Sequence, residues 1–509
     1  MDNNGSLNTH LLIGSCEDEN TENLGLRDGP KWRKKELLKE LKKQLSLGGP
    51  LVMANLLQRC MQNVSVMFVG HLGELPLAGA SLATSFANAV GFSVLSGMAG
   101  ALDTLCGQAY GAKQYHMIGL HTQRAQLIFL TISIPIALIL YSTEEILQAV
   151  GQDVELSKEA GIYSRWMIPS IFAYSLLQTL TKFLQTQNIT SPIMLTTAIT
   201  TLLHLPICWI LVSKSGLGNK GAALANSVSY FMNVMLLTLY MKFSSTCTET
   251  WTGFSKEAFQ DTAHFFRIAI PSTIMGCVEW ASYEILIILS GLLPNPKLEA
   301  SILAILLNTE AMVFMIAQGL GDCISTRVSN ELGAGNPCRA LFAVRIVFLL
   351  ITLEGLLVGG IILLVRNVWG YYYSNEQEVV DYVSSLTPLL AFANIVDGIQ
   401  YMLSSTTRGC GRQNFGALAN LGGYYGVGIP MGIILGFIFH FGAEGLWMRI
   451  MCGSFVQGLS LLIMIINIDW EQEVSKIIGS KKALKAYPKK PRAYVDEDLE
   501  DEVNMIPEA

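Results

Sequence analysis

Five acidic side chains in the second half of the chain lie within long apolar runs. They are Glu279, Glu284, Glu310, Glu354 and Asp397. A charged residue at the centre of a membrane helix costs about 2.5–3.5 kcal/mol on insertion scales, so such positions are rare. A carboxyl group among apolar side chains has a raised pKa and can take up a proton near neutral pH. These residue types in these surroundings predict proton binding and release.

Helical spacing separates two of these acids and gives each an aromatic neighbour. Glu279 and Glu284 are five residues apart, which places them about 140° apart around a helix. One can face a central cavity while the other looks into its own bundle. Tyr283 shares a face with Glu279, and Trp280 shares a face with Glu284, because each pair is four residues apart. An aromatic ring beside a carboxylate suits an organic cation.

Asp397 lies on a polar stripe, with Asn394 three residues before it and Tyr401 four residues after it. We therefore predict proton coupling at Glu279, Glu284 and Asp397. The side chains predicted to line a solute cavity are Asn55, Arg59, Trp280, Tyr283, Glu310, Asn394 and Tyr401.

The first half offers less charge within its apolar runs. Asp103 falls near the end of one run, where a structural or loop-ordering role is favoured. Arg59 and Arg449 are the cations expected within membrane spans. Arg59 must face a cavity or an acid, and Arg449 could extend to the outer interface. Lys182 is assigned to a loop.

The elements that hold these residues are membrane-spanning helices. Half of the chain (51%) is hydrophobic and only 15% is charged, whereas soluble domains are about 25% charged. Crossing about 30 Å of hydrocarbon takes about 20 helical residues. Windows of this kind predict an all-α polytopic protein with about twelve spans, near 46–70, 76–100, 119–142, 160–181, 190–213, 220–241, 267–291, 300–324, 341–364, 380–404, 415–439 and 445–468.

The two halves repeat each other. Prolines within apolar runs recur at offsets of 219 to 224 residues, in the pairs Pro50 and Pro271, Pro169 and Pro388, and Pro206 and Pro430. Helix interiors normally exclude proline, so three such pairs indicate a duplicated six-helix unit. The predicted organisation is a tail at 1–43, a first lobe at 44–243, a linker at 244–265, a second lobe at 266–470 and a tail at 471–509.

Basic residues are concentrated beside both ends of the membrane part. Residues 31–43 read KWRKKELLKELKK, and lysines recur at 481, 482, 485, 489 and 490. By the positive-inside rule, both termini are expected in the cytosol. An even number of spans agrees with this orientation.

Motifs for catalysis are missing from the sequence. It contains no Gly-Lys dipeptide and hence no nucleotide-binding P-loop, and no His-Glu-x-x-His motif. We expect no enzyme activity, no cofactor, no metal site and no nucleic-acid partner.

Several long segments resemble the signatures of plant multidrug and toxic compound extrusion (MATE) transporters. They are VSVMFVGHLGELPLAG (64–79), GALDTLCGQAYGAKQYHMIG (100–119), SGLLPNPKLEASILAI (290–305), STRVSNELGAGNP (325–337) and TRGCGRQNFGALANL (407–421). The resemblance runs from about residue 40 to 475. It implies two six-helix lobes arranged as a V, alternating access, and exchange of protons for organic solutes.

The resemblance also implies specific proton-linked acids in the second lobe. They correspond to Glu279 and Glu284 of CVEWASYE and to Asp397 of VDGIQ. The acid that prokaryotic relatives carry in the first span has no counterpart here, where Asn55 and other polar residues lie. Arg59 and Arg449 replace residues that are usually uncharged, which would favour anionic or neutral solutes.

The sequence therefore predicts a secondary active antiporter that exchanges protons for an alkaloid, flavonoid, hormone or xenobiotic. Two alternatives stay open, a lipid-linked headgroup flippase and a sodium-coupled exporter of organic solutes. The expected location is the plasma membrane or the vacuolar membrane, with lipid and protons as the other partners and the chain as a monomer.

Overall fold

The computed structural model describes residues 34–373 and 376–485, and within these ranges it contains helices and turns but no strand. Twelve long helical segments cover most of this part of the chain. The predicted tails fall largely outside the described residues. The twelve segments are α1 Lys34–Gly70, α2 Glu74–Gly111, α3 Tyr115–Tyr141, α4 Val154–Thr186, α5 Ser191–Lys214, α6 Asn219–Phe243, α7 Thr262–Ser290, α8 Pro296–Gly333, α9 Pro337–Trp369, α10 Gln377–Gly409, α11 Gln413–Ile438 and α12 Gly442–Ile466.

Ten of the twelve segments within the described ranges are long and apolar enough to cross a membrane by length and composition. The two others are α1 and α4, which begin with polar residues and carry polar side chains along their length. The prediction of an all-α polytopic protein with about twelve spans is confirmed. A further helix, α13 (Trp470–Lys485), follows the last span.

The duplication is visible in the order and ends of the helices. Segments α1–α6, the N-lobe, correspond one by one to α7–α12, the C-lobe. For example, α2 ends at Gly111 and α8 ends at Gly333, at the same offset that relates the sequence pairs. Helical turns widen into π-helix shortly after Pro206 and Pro430. A proline lacks the N–H that an α-turn requires, which explains a widened turn at the same place in each lobe.

Residues 244–261, which connect α6 to α7, fold onto the N-lobe. They contain two one-turn 3-10 helices, Ser245–Cys247 and Lys256–Phe259. The side chain of Gln123 on α3 donates to the carbonyl of Gly253 at 2.7 Å and accepts from the N–H of Ser255 at 2.9 Å. The side-chain amide of Gln123 therefore holds the segment between the lobes to α3 by two hydrogen bonds. The lobe boundaries predicted from the sequence stay predictions.

The lobes form a V, and close contacts join them on the side where α1 begins and α12 ends, which we call the terminal side. A Cβ on Gly319 of α8 would lie 2.5 Å from Val52 of α1. A Cβ on Gly97 of α2 would lie 2.7 Å from Thr273 of α7. Glycine thus lets the backbones of the two lobes approach closely. In the middle of α7, Trp280 is 47% exposed. We call the side of the molecule opposite the terminal side the far side.

Candidate functional site

The C-lobe brings acids from α7 and α10 together with tyrosines. Asp397 on α10 interacts with the hydroxyl groups of Tyr283 on α7 and Ser454 on α12. Tyr424 on α11 completes this polar group, with its hydroxyl 3.2 Å from that of Ser454. Glu279 lies one turn before Tyr283 and is within electrostatic range of Asp397. Four helices therefore place polar side chains around two carboxyl groups, those of Asp397 and Glu279.

Two further acids extend this group into the lobe. Glu354 on α9 approaches Gly398, and its Oε2 lies 3.9 Å from where a Cβ on that glycine would be. Glu310 on α8 is within electrostatic range of both Asp397 and Glu354. Among the described residues, no hydrogen-bond donor reaches either carboxyl oxygen of Glu310 or Glu354. We call Glu279, Glu310, Glu354 and Asp397 the acidic cluster.

The acidic cluster is costly to ionise in full. A buried carboxylate is stable when cations or hydrogen-bond donors offset its lost hydration. The cation within electrostatic range of Glu279 is Arg408, whose guanidinium also lies 5.1 Å from the ring centroid of Tyr401. One arginine offsets at most one of the four negative charges. The arrangement can therefore hold protons and release them when a cation or water enters.

The structure separates Glu284 from the acidic cluster. No charged group of the described residues is found to interact with Glu284, which lies five residues beyond Glu279 on α7. The predicted divergence of the two side chains around the helix explains this separation. Asn394 is buried on α10 beside Asp397, and Tyr401 packs edge-on against Phe314 at a centroid distance of 5.0 Å.

One of the two predictions about arginine is wrong. Arg449 does not extend to an interface, because it is 1% exposed and donates to the carbonyl of Ser282 on α7. The packing of Arg449 across Gly432, where a Cβ would lie 2.6 Å from its Cδ, turns it inward. Arg59 lies on α1 without an acid within 4.0 Å in the described part of the chain, so of its two predicted surroundings the cavity stays a prediction.

Around the corresponding position in the N-lobe, the described residues are polar and include no carboxyl group. Gln62 donates to the hydroxyl of Tyr230 at 3.3 Å, and Tyr230 packs against Tyr174 at a ring distance of 5.7 Å. Deeper in the lobe, His204 contacts Ser65 at 2.9 Å and Ser229 at 2.7 Å. Asn55 lies on the same helix as Gln62. No carboxyl group among the described residues interacts with Tyr230 or His204, so this part of the N-lobe has no counterpart of the acidic cluster.

An ion network that the sequence did not reveal joins the two lobes on the terminal side. Lys182 on α4 lies 3.0 Å from Asp103 on α2 and 3.0 Å from Asp322 on α8. The adjacent Gln185 donates to the carbonyl of Asp322 at 3.1 Å and to the hydroxyl of Thr326 at 3.0 Å. Lys182 is buried, so it is not the loop cation that was predicted. Asp103 does have a structural role, as the N-lobe half of this network.

Glycine allows α2 and α8 to meet beyond that network, at the ends of the two helices. A Cβ on Gly111 would lie 1.9 Å from the carbonyl oxygen of Asn330, and a Cβ on Gly333 would lie 2.3 Å from that of Gln108. The two contacts are related by the internal repeat, so they form a symmetric seam. A second ion pair, Arg327 with Glu40 at 3.1 Å, joins α8 to the start of α1.

The sequence contained one signal for the network. Asp322 falls inside the predicted span 300–324, and an acid within a span was the criterion that found the acidic cluster. Lys182 and Arg408 were missed because α4 and α10 run to Thr186 and Gly409, several residues beyond the predicted ends. These last turns are buried against the other lobe and need not be apolar.

Comparison with known proteins matches the whole membrane part of the chain. A family model described as MatE matches residues 50–210 and 271–434, one match in each lobe. Protein DETOXIFICATION 16 of Arabidopsis thaliana is 51% identical over 91% of this chain and 96% of that protein. Protein DETOXIFICATION 15 of the same plant is 50% identical over 89% of this chain and 94% of that protein.

Solved structures agree with these matches. The crystal structure of the eukaryotic MATE transporter AtDTX14 has a TM-score of 0.84 at 44% identity, covering 87% of this chain and 99% of that chain. The bent form of the Vibrio cholerae MATE transporter VcmN has a TM-score of 0.74 at 17% identity, covering 87% and 98%. The second likeness supports the fold alone.

Proposed function

Because this chain belongs to the MatE family of membrane transporters, and is therefore a transporter and not an enzyme, we propose that it exchanges protons for organic solutes. In this proposal the terminal side faces the cytosol and the cleft opens toward the acidic compartment. In the proposed cycle, solute and protons compete for the acidic cluster of the C-lobe. The plasma membrane and the vacuolar membrane both offer the required gradient.

The observation that carries the proposal is the acidic cluster. Four carboxyl groups lie in one lobe with Arg408 as the neighbouring cation, and two of them have no hydrogen-bond donor among the described residues. Ionising several such groups together is strongly unfavourable, because like charges at short range disfavour each other's ionised forms. Protons from the far side neutralise the cluster, and their loss restores a charged site for a solute.

Exchange also requires that the cleft opens on one side at a time. The Lys182 network and the glycine seam join the lobes on the terminal side, and in the proposed state the cleft opens on the far side. Rocking of the lobes about their interface would break these contacts and expose the cluster to the cytosol, as expected for repeats related by an axis along the membrane normal. The proposed cycle needs no cofactor, no metal and no second subunit.

The energy available is sufficient for uphill transport. One elementary charge crossing 100 mV is worth about 2.3 kcal/mol, and a tenfold proton ratio adds about 1.4 kcal/mol. Since about 1.4 kcal/mol corresponds to a factor of ten, one proton can support a solute ratio of a hundredfold or more.

Aromatic rings at the cleft favour flat organic solutes. Trp280 is half exposed on α7, and Tyr283 follows it by three residues beside Asp397. These rings supply stacking and cation–π contacts for alkaloid- or flavonoid-like molecules. Arg59 on the N-lobe side adds positive charge, which favours solutes that also carry an anionic or neutral polar group.

Vesicle transport tests the proposal. The purified chain is reconstituted into liposomes with an acidic interior, and uptake of a labelled alkaloid or flavonoid glycoside is followed over time. We expect uptake that stops when the pH gradient is collapsed and that is lost in Glu279→Gln and Asp397→Asn. Glu284→Gln serves as the matched control from the same helix, and its activity measures whether that predicted acid takes part.

Three results would contradict proton exchange and favour the alternatives. Uptake driven by a sodium gradient at equal pH would indicate sodium coupling. Movement of a lipid-linked headgroup without solute uptake would indicate a flippase. Full activity of both Glu279→Gln and Asp397→Asn would remove the acidic cluster from the mechanism.

A further inference from the structure

The first helix is longer than a membrane span requires, and the excess lies on the terminal side. Helix α1 has 37 residues, about 55 Å at 1.5 Å per residue, whereas the hydrocarbon core is about 30 Å thick. Gly70 ends the helix at the far side. The excess is about 25 Å, or about 17 residues. With about five of them in the headgroup layer of the far side, about the first twelve residues, 34–45, project past the hydrocarbon on the terminal side.

This projection has one face that binds the protein. Glu40 pairs with Arg327 of α8 at 3.1 Å, and Gln44 contacts the thiol of Cys323 at 3.0 Å. Leu47 continues the same face and is buried. The projection is thus held rigidly against the C-lobe, and its orientation is fixed.

The opposite face carries lysine and leucine. Lys35, Leu38, Lys42 and Leu45 recur at helical spacing and share an arc of about 80°. Leu38 is 66% exposed and Leu45 is 51% exposed. The lysines at 34 and 39 flank the arc, and with Lys35, Leu38 and Lys42 they border one shallow surface. We call these six residues, Lys34, Lys35, Leu38, Lys39, Lys42 and Leu45, the basic face.

We propose that the basic face binds anionic phospholipid headgroups in the leaflet on the terminal side. Leu45, at the edge of the hydrocarbon, offers apolar contact to the lipid boundary, and Leu38 lies about two turns farther out. Lysines between them extend their ammonium groups along the headgroup layer. The acids of residues 34–45 are Glu36 and Glu40, which lie toward the opposite side of the helix, so the basic face carries lysine charges alone.

Position along the helix supports a lipid as the occupant. Along the axis, Lys42 lies about 4.5 Å and Lys39 about 9 Å from Leu45, so they fall within and just past a headgroup region of about 5–7.5 Å on each side. Lys34 and Lys35 are one or two turns farther out and still within about one Debye length, roughly 8 Å, of that layer. Anionic lipids attract each lysine at such distances, and the attraction falls with salt.

The inference uses the membrane-spanning fold and not the proposed proton exchange, so each can fail without the other. The test measures association of spin-labelled phosphatidylserine and spin-labelled phosphatidylcholine with the full-length protein reconstituted in phosphatidylcholine bilayers. We expect phosphatidylserine to associate about threefold or more strongly at low salt, and this preference to shrink at high salt.

Two triple variants decide the outcome. Lys35→Gln with Lys39→Gln and Lys42→Gln removes three charges from the basic face, and the preference is expected to fall toward one. Lys158→Gln with Lys214→Gln and Lys220→Gln removes the same charge from exposed far-side positions, and the preference is expected to persist. All six side chains are exposed, so both variants should fold.

An unchanged preference in the basic-face variant would overturn the proposal, as would an equal loss in the far-side variant. Size-exclusion measurements supply an independent check. A wild-type dimer that becomes a monomer in the basic-face variant would show that a second copy of the chain covers this face, and would also overturn it.

Discussion

Lys182 illustrates how one buried side chain holds two lobes together. Its ammonium group lies between Asp103 of the N-lobe and Asp322 of the C-lobe, at 3.0 Å from each. Removing one partner from a buried ion pair costs about 3–5 kcal/mol, because the remaining charge loses its compensation. Replacing all the charges with neutral groups costs much less. The same side chain therefore allows a test in which a triple change is milder than a single one.

We predict that Lys182→Met opens the terminal side. The two remaining carboxylates repel each other, and the closed state loses about 3–5 kcal/mol, a factor of more than about a hundred in its population. Distances between spin labels at positions 113 and 339, one in each lobe, report the opening. The triple variant Lys182→Met, Asp103→Asn, Asp322→Asn should recover much of the closure. A distance distribution that does not change in Lys182→Met would disprove the role of the network.

A second residue-scale prediction concerns the C-terminal helix α13. Burial raises the pKa of Glu473, but hydrogen bonds from Arg412 and from Lys476 outweigh it and hold the pKa below its ordinary value. The Lys476 ammonium lies 2.8 Å from the carboxylate, and Arg412 donates to the same oxygen. A depressed folded-state pKa stabilises the anchored helix at all pH values above the unfolded pKa, about 4.3.

We therefore expect the stability difference between the wild type and Glu473→Gln to be constant from neutral pH down to about pH 5. It should shrink as the pH falls below about 4, where the wild-type carboxylate also becomes protonated. Thermal unfolding of both proteins across this pH range measures the difference. A difference that grows toward acid pH would show that the sign of the pKa shift is opposite.

At the scale of elements, the glycine seam between α2 and α8 sets how closely the lobes approach. The Cβ of any other residue at Gly111 would overlap the carbonyl oxygen of Asn330, which is a backbone atom and cannot rotate away. Overpacking a tight interface costs about 1–3 kcal/mol or more. Helix separation relieves the overlap, so the cost falls on the closed state of the terminal side.

Gly111→Ala is expected to shift the protein toward an open terminal side. The matched control is Gly360→Ala on α9, where an added Cβ meets no atom within 4 Å. Accessibility of a cysteine at position 104, at the interface, to a membrane-impermeant maleimide measures the opening. Equal labelling of the two variants would show that the seam does not limit closure.

The helices and their repeat were predicted well from the sequence, but the side-chain contacts between helices were not. The spans followed from apolar length, and the repeat from six prolines whose positions inside helices the structure confirms. The site was harder, since Asp103, Lys182 and Asp322 are separated by 79 and 140 residues and no periodicity links them. Charges near helix ends look like interfacial residues in a sequence. Only the packing of one lobe on the other buries them.

For the whole molecule, alternating access requires the lobes to separate on the terminal side in every cycle. A Cβ on Gly48 of α1 would lie 3.6 Å from the Cβ of Cys323 on α8, within the range that a disulfide needs. Gly48→Cys should therefore form a disulfide between the lobes on oxidation and abolish transport. Reduction should restore it.

Two controls accompany this variant. Gly49→Cys places the thiol where no atom lies within 4 Å and should leave transport insensitive to oxidation. Gly48→Cys with Cys323→Ser cannot form the bond and should also be insensitive. Full transport by the oxidised, cross-linked protein would rule out a cycle that opens this side.

The central claim is that solute and protons compete for the acidic cluster, and proton release on solute binding measures this most directly. The purified protein in weakly buffered solution is mixed with a solute that it transports, and a pH indicator follows the bulk proton concentration. The account predicts release of protons by the wild type and none by the double variant Glu279→Gln, Asp397→Asn. Solute binding by the wild type without any proton release would contradict it.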